Sequence, residues 1–186
     1  MLIPLGILES SGALPGDYEL IQTQILTSSQ PSITFSNLGN FSTTYKHLQI
    51  RLAARSTFSG TLGDSLRLRI NSDTGANYVN HGLLGNGSSV SSYASTGQSA
   101  LFQQRLTSAG MGASSFGAIV IDILDPYATK NKTIRSMGGF ADGTPRIELT
   151  SGLWLNTSSP TAIELASGNS ADFVAGSRFS LYGIRG

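Results

Sequence analysis

Between Ser65 and Ile70 the chain reads SLRLRI, with Leu66, Leu68 and Ile70 at every second position and Arg67 and Arg69 between them. A repeat of two places successive side chains on opposite faces of an extended chain, and no helix can gather such residues on one side. The pattern recurs twice. In YKHLQIRLAAR, Lys46, Leu48, Ile50, Leu52 and Ala54 share one face, while Tyr45, His47, Gln49, Arg51 and Arg55 share the other. In SRFSLYGIRG, Phe179 and Leu181 oppose Arg178, Ser180 and Tyr182. One polar face per strand points to antiparallel pairing, since strands of parallel sheets are buried on both sides. Leu48, Ile50 and Leu52 are expected to meet Leu66, Leu68 and Ile70 in one core. The 28 Ser, 16 Thr and 22 Gly of the 186 residues agree, because these are mediocre to poor helix formers.

Further strand candidates follow between turn signals: YELIQTQIL (18–26), PSITF (31–35), ANYVNHGLL (76–84), FGAIVIDIL (116–124), TIRSMGGF (133–140), RIELTSGLWL (146–155) and TAIELAS (161–167). The nearly continuous apolar run of FGAIVIDIL marks a central strand. Residues 85–115 are rich in Gly and Ser, and their flanks read as long loops around a short segment, LFQQRL, that forms either a strand or a helical turn. The expected fold is all-β: an antiparallel two-sheet sandwich of the jelly-roll kind over residues 17–186, with long loops. A strand running almost to Gly186 implies that the domain closes there.

Residues 1–16 form a separate arm, with Leu2, Ile3, Leu5, Ile7 and Leu8 followed by the turn-rich SSGALPG. Two readings stand: a strap on its own domain, or an arm that docks on a neighbouring subunit. MLIPLGIL lacks a basic leader and is cut by Pro4 and Glu9, so it does not read as a secretory signal. No run approaches the roughly eighteen apolar residues of a membrane helix. Absence of Cys excludes disulfides and thiolate metal sites, and a chain of this length can do without either.

Chemistry is thinly marked. Charged residues are 12% of the chain and net charge is +1, which argues against nucleic-acid binding. His47 and His81 have no companion ligands. No nucleophile elbow, P-loop or H-E-x-x-H occurs. Asp122, Asp125, Glu148 and Glu164 are the carboxylates a glycan hydrolase would need, but each reads better as an edge, turn or ion-pair residue. By alternation Asp122 and Glu148 face outward or into a junction. NSDTGAN (71–77) spaces Asn71, Asp73 and Asn77 as a weak calcium loop would, and equally as an ordinary turn. Tyr78, Tyr93, Trp154 and Tyr182 could stack on sugars, though scattered aromatics more often pack in cores and interfaces. No catalytic, cofactor or metal residue is assigned.

Residues 17–186 carry, in order, YELIQTQIL, TYKHLQIRLAARS, LRLRINSDTGANY, HGLLGNGSS, IVIDILDPYATKNKTIRS, SGLW and FVAGSRFSLYGIRG. In these motifs the chain resembles small structural proteins of tailed bacteriophages, including phages of cyanobacteria and marine bacteria. The resemblance implies a non-enzymatic virion component made in the host cytoplasm, with a homotrimer as its form. It would decorate the capsid as a cement protein, bound to the major capsid protein or other virion proteins. The alternative is a tail-fibre or receptor-binding module, and the minor one a glycan depolymerase. The motifs describe strands and turns, so no functional residue carries over.

Overall fold

The computed structural model describes residues 16–60, 63–143 and 145–186. The proposed arm residues Leu2, Ile3, Leu5, Ile7 and Leu8 lie outside them. Twelve strands follow: β1 (Tyr18–Ile25), β2 (Ser32–Phe35), β3 (His47–Ala54), β4 (Asp64–Ile70), β5 (Tyr78–Gly85), β6 (Val90–Gln98), β7 (Leu101–Leu106), β8 (Gly117–Leu124), β9 (Lys132–Phe140), β10 (Arg146–Trp154), β11 (Ile163–Ser167) and β12 (Arg178–Ile184). They form two sheets, one ordered β1-β12-β3-β8-β9-β10-β5-β6 and one ordered β2-β11-β4-β7, with antiparallel neighbours throughout.

Four of the pairings are nested in sequence: β1 with β12, β2 with β11, β3 with β8, and β4 with β7. These are the rungs of one long hairpin. Rolling it brings β12 beside β3 and β11 beside β4, and splits the rungs alternately between two facing sheets. That is the jelly roll. The remaining strands are insertions, β5–β6 between β4 and β7 and the hairpin β9–β10 between β8 and β11. Both extend the larger sheet beyond β8, so it overhangs its four-stranded partner.

The core lies where alternation placed it. Leu48, Ile50 and Leu52 from one sheet join Leu66, Leu68 and Ile70 from the other in one buried cluster, with Ile119, Ile121, Ile123, Phe179 and Leu181. Strand β8 is central, fourth of eight. The terminal strand β12 is interior, and Arg185 Nη2 bonds Glu19 Oε2 at 3.1 Å just beyond it.

One expectation needs correction. LFQQRL is the strand β7, one of its two expected forms, but the flank before it is not all loop, since it contains β6. Strand β6, VSSYASTGQ, is exposed along most of its length, so no core-facing alternation announces it.

Candidate interaction face

The inserted strands divide at mid-length. Toward the Trp154 end of β10 their inner side is ordinary core. Trp154, Tyr78 and Ile134 are fully buried, and the Tyr78 and Trp154 rings stack at 6.4 Å. Toward the Arg146 end the inner side turns polar. Ser136, Glu148 and Thr150 are buried there against β7. Gln104 Nε2 donates to the Ser136 carbonyl and hydroxyl at 3.1 Å each, and to Thr150 Oγ1 at 3.3 Å. Glu148 is only 4% exposed and lies 3.5 Å from Arg146 Nε and 4.0 Å from Arg105 Nε. Burial pushes its carboxyl above the usual range, with the two guanidinium groups opposing. Beside it is a small cavity of about 180 Å3 lined by Ser65, Leu84, Tyr93, Phe102, Arg105 and Glu148. Burial and the nearby Glu148 charge push the Tyr93 hydroxyl up to about 12.

Alternation then forces the opposite outcome on the outer side. Leu149 pairs laterally with Met137 on β9 and Leu83 on β5, and Met137 pairs with Val120 on β8. One row further along, Ile147 lies between Gly139 and Gly85, and Gly85 faces Val90. Leu83, Val90, Met137, Ile147 and Leu149 expose between 53 and 78% of their surface. Half of the overhang is therefore polar inside and apolar outside, the reverse of what a sheet facing water adopts.

The outer rows also enclose a groove of about 660 Å3. Its floor is Ala118, Gly138 and Gly139, Val120, Met137 and Ile147 rise around it, and Phe140, whose ring turns inward toward Gly63, closes one end. A Cβ on Gly139 would come within 2.1 Å of the Arg146 carbonyl oxygen, and one on Gly138 within 2.6 Å of that of Ala118, so only glycine fits there. The rim holds Arg51 and Arg146. Beyond β5, β6 forms a nine-residue edge with no charged residue and no Pro. Natural sheets usually guard such an edge with one or the other.

No protein-family model, curated protein or solved structure matches the chain.

The residues singled out in the sequence are not gathered into one site. Asp122 accepts from Gln49 Nε2 at 2.7 Å on the outer face of the large sheet. Asp125, in the turn after β8, pairs with Lys130 Nζ at 2.5 Å, and its N–H donates to His47 Nδ1 at 3.0 Å. Glu164 pairs with Arg67 at 3.2 Å on the small sheet. Glu148 takes the second option that alternation allowed, the junction. His81 is exposed on β5, opposite Ala94 and Ser151. Among the described residues no three His, Asp or Glu side chains are close enough to hold a metal ion.

NSDTGAN is an internally bonded turn. Asp73 accepts from Trp154 Nε1 at 2.7 Å, Asn77 Nδ2 at 2.9 Å and the Gly75 N–H at 2.8 Å. Those bonds, the Trp154 one foremost, hold its carboxyl below the usual range. Asn71 turns away to accept from the Thr161 N–H at 2.6 Å and the Ala162 N–H at 3.2 Å. The oxygens that calcium would need are thus spent on the fold. Tyr78 and Trp154 are core residues. Tyr182 stacks on Tyr18 at 4.8 Å with Arg51 over both rings. No helix among the described residues is long and apolar enough to cross a membrane.

Proposed function

We propose that the chain is a structural protein of a tailed bacteriophage virion, a non-enzymatic trimer that decorates the capsid. The observation that carries the reading is the apolar outer face of the overhang. Each of its five exposed side chains keeps more than half its surface to bury, worth on the order of 1 kcal/mol apiece. A face of that kind marks an assembly surface. Jelly rolls serve as building blocks of viral capsids, and the sequence motifs supply the phage context. Fold alone does not assign function, so the face carries more weight than the architecture.

The test is location. Antibody-gold labelling of purified particles should mark the whole capsid surface, and sedimentation of the isolated protein should give a trimer. Label confined to the tail tip would replace this reading with the receptor-binding one. That second reading draws on β6, whose exposed Ser-rich strand and the adjoining 86–89 turn present hydroxyl and amide groups to solvent. Release of reducing sugar from host polysaccharide, abolished by Asp122→Asn, Asp125→Asn, Glu148→Gln or Glu164→Gln, would instead establish a depolymerase.

A further inference from the structure

We infer that the groove between Val120, Met137 and Ile147 receives the apolar segment Leu2–Leu8 of a second copy of this chain. The inference rests on the assembly reading above and names what joins the subunits. An apolar cavity of about 150 Å3 already holds a benzene-sized molecule. A groove of about 660 Å3 therefore has room for several aliphatic side chains. Its floor is backbone and small residues, which lets an extended chain lie low. The segment offers Leu2, Ile3, Leu5, Ile7 and Leu8 with no charge before Glu9, which matches walls without a charged group between the two rim arginines.

The direction of β1 favours a neighbour's groove over the chain's own. Tyr18 opens β1 in the row that runs through Ile184, His47, Leu124 and Thr133. The Asp17 carbonyl still accepts the Arg185 N–H at 2.8 Å, so the chain arrives from beyond that end of the sheet. The groove lies at the other end, around Ala118 and Gly139, and about four strand spacings, roughly 19 Å, to the side. To fill its own groove the segment would have to reverse and cross the polar patch of Gln49, Arg51, Asp122 and Tyr182. Residues 9–17 can extend at most about 30 Å from the start of β1. A segment seated in a groove elsewhere on the next copy is a heterologous contact, and three such contacts close a ring.

The chain has no Cys, which makes the test direct. Leu5→Cys and Met137→Cys proteins, each with one thiol, are mixed and oxidised, and disulfide-linked pairs are counted. The control pairs Leu5→Cys with Leu20→Cys, exposed on the distant edge strand. Cross-linking at least tenfold above the control, with Met137→Lys lowering the oligomer's association constant at least tenfold, is the expected result. Cross-links found only when both cysteines share one chain would overturn the inference, because the segment would then strap its own domain. An oligomer that persists without either cross-link or Met137 sensitivity would overturn it too, while leaving the assembly reading intact. A chain that sediments only as a monomer would overturn both.

Discussion

Two leucines test the assignment of faces. Leu68 on β4 is fully buried between Leu165 and Leu101 on the neighbouring strands. Leu149 on β10 is flanked by Met137 and Leu83 and stays 53% exposed. Leu→Ala removes the same three carbons at both sites, each worth about 0.8 kcal/mol when fully buried. At Leu68 that is about 2.4 kcal/mol before the cavity penalty, and about 3–4 kcal/mol with it. At Leu149 roughly half the transfer value is at stake and solvent fills the space, so about 1 kcal/mol is expected. Leu68→Asp buries an unpaired charge and should leave little folded protein, given total stabilities of about 5–15 kcal/mol. Leu149→Asp should fold with a stability within about 1 kcal/mol of the parent. Urea unfolding followed by intrinsic fluorescence gives the free energies, run at a protein concentration where sedimentation shows single subunits. If Leu149→Ala costs a monomer as much as Leu68→Ala, the outer face is not outer, and the interaction face disappears with it.

Asp73→Ala should cost about 1.5 kcal/mol by stranding the Trp154 indole N–H, at the low end for a charge-assisted bond because the site is partly exposed. Since Asp73 titrates below its unfolded value, its contribution is complete above about pH 4 and fades as pH falls through the folded value. Thermal melts of parent and variant should therefore converge in acid. Glu148→Gln should show the reverse slope. The folded carboxyl titrates above its unfolded value, so ionisation weakens the fold, and the parent should gain on the variant as pH falls toward about 4.3. A parent–variant difference that does not change with pH would refute that burial. Lys132→Met should cost about 2–3 kcal/mol, because the buried ammonium donates to the carbonyls of Ala128 at 2.6 Å, Lys130 at 2.7 Å and Thr157 at 3.1 Å. Hydrogen exchange should quicken first at the β8–β9 turn.

Strands β3 and β4 were legible because each keeps its leucines and isoleucines in one phase. Leu66, Leu68 and Ile70 leave no doubt about which side of β4 is buried, and Leu48, Ile50 and Leu52 leave none about β3. The inserted strands carry both phases. In β10, Ile147, Leu149 and Leu153 stand at odd positions and Trp154 at an even one. Burying Trp154 against Tyr78 commits Glu148 and Thr150 to the inside and Leu149 to the outside. Sequence alone lists the two options and cannot rank them, because the choice depends on what β9 and β5 offer across the ladder. Strand β6 was missed for a related reason. An edge strand exposed on both sides needs no apolar phase, so its Ser and Thr look like loop. The interaction face was therefore invisible as a site, although Met137 and Ile147 are plain in the sequence.

The overhang also gives a reason for the assembly reading that does not depend on any one side chain. A jelly roll of eight strands is already closed by its nested pairs, and β5, β6, β9 and β10 add nothing to its two-sheet core beyond Tyr78, Ile134 and Trp154. What they add elsewhere is a polar junction, an apolar outer face and an unguarded edge at β6. In an isolated subunit each of these is unfavourable or neutral: ions desolvated beside Gln104, aliphatic groups held in water, and a strand edge open to chance pairing. Covering the outer face by a neighbour removes the aliphatic penalty and shields the edge in the same step. Insertions of this composition are costly in a monomer and stabilising in an oligomer, and that asymmetry is why the face, rather than the carboxylates, is read as the working part of the molecule.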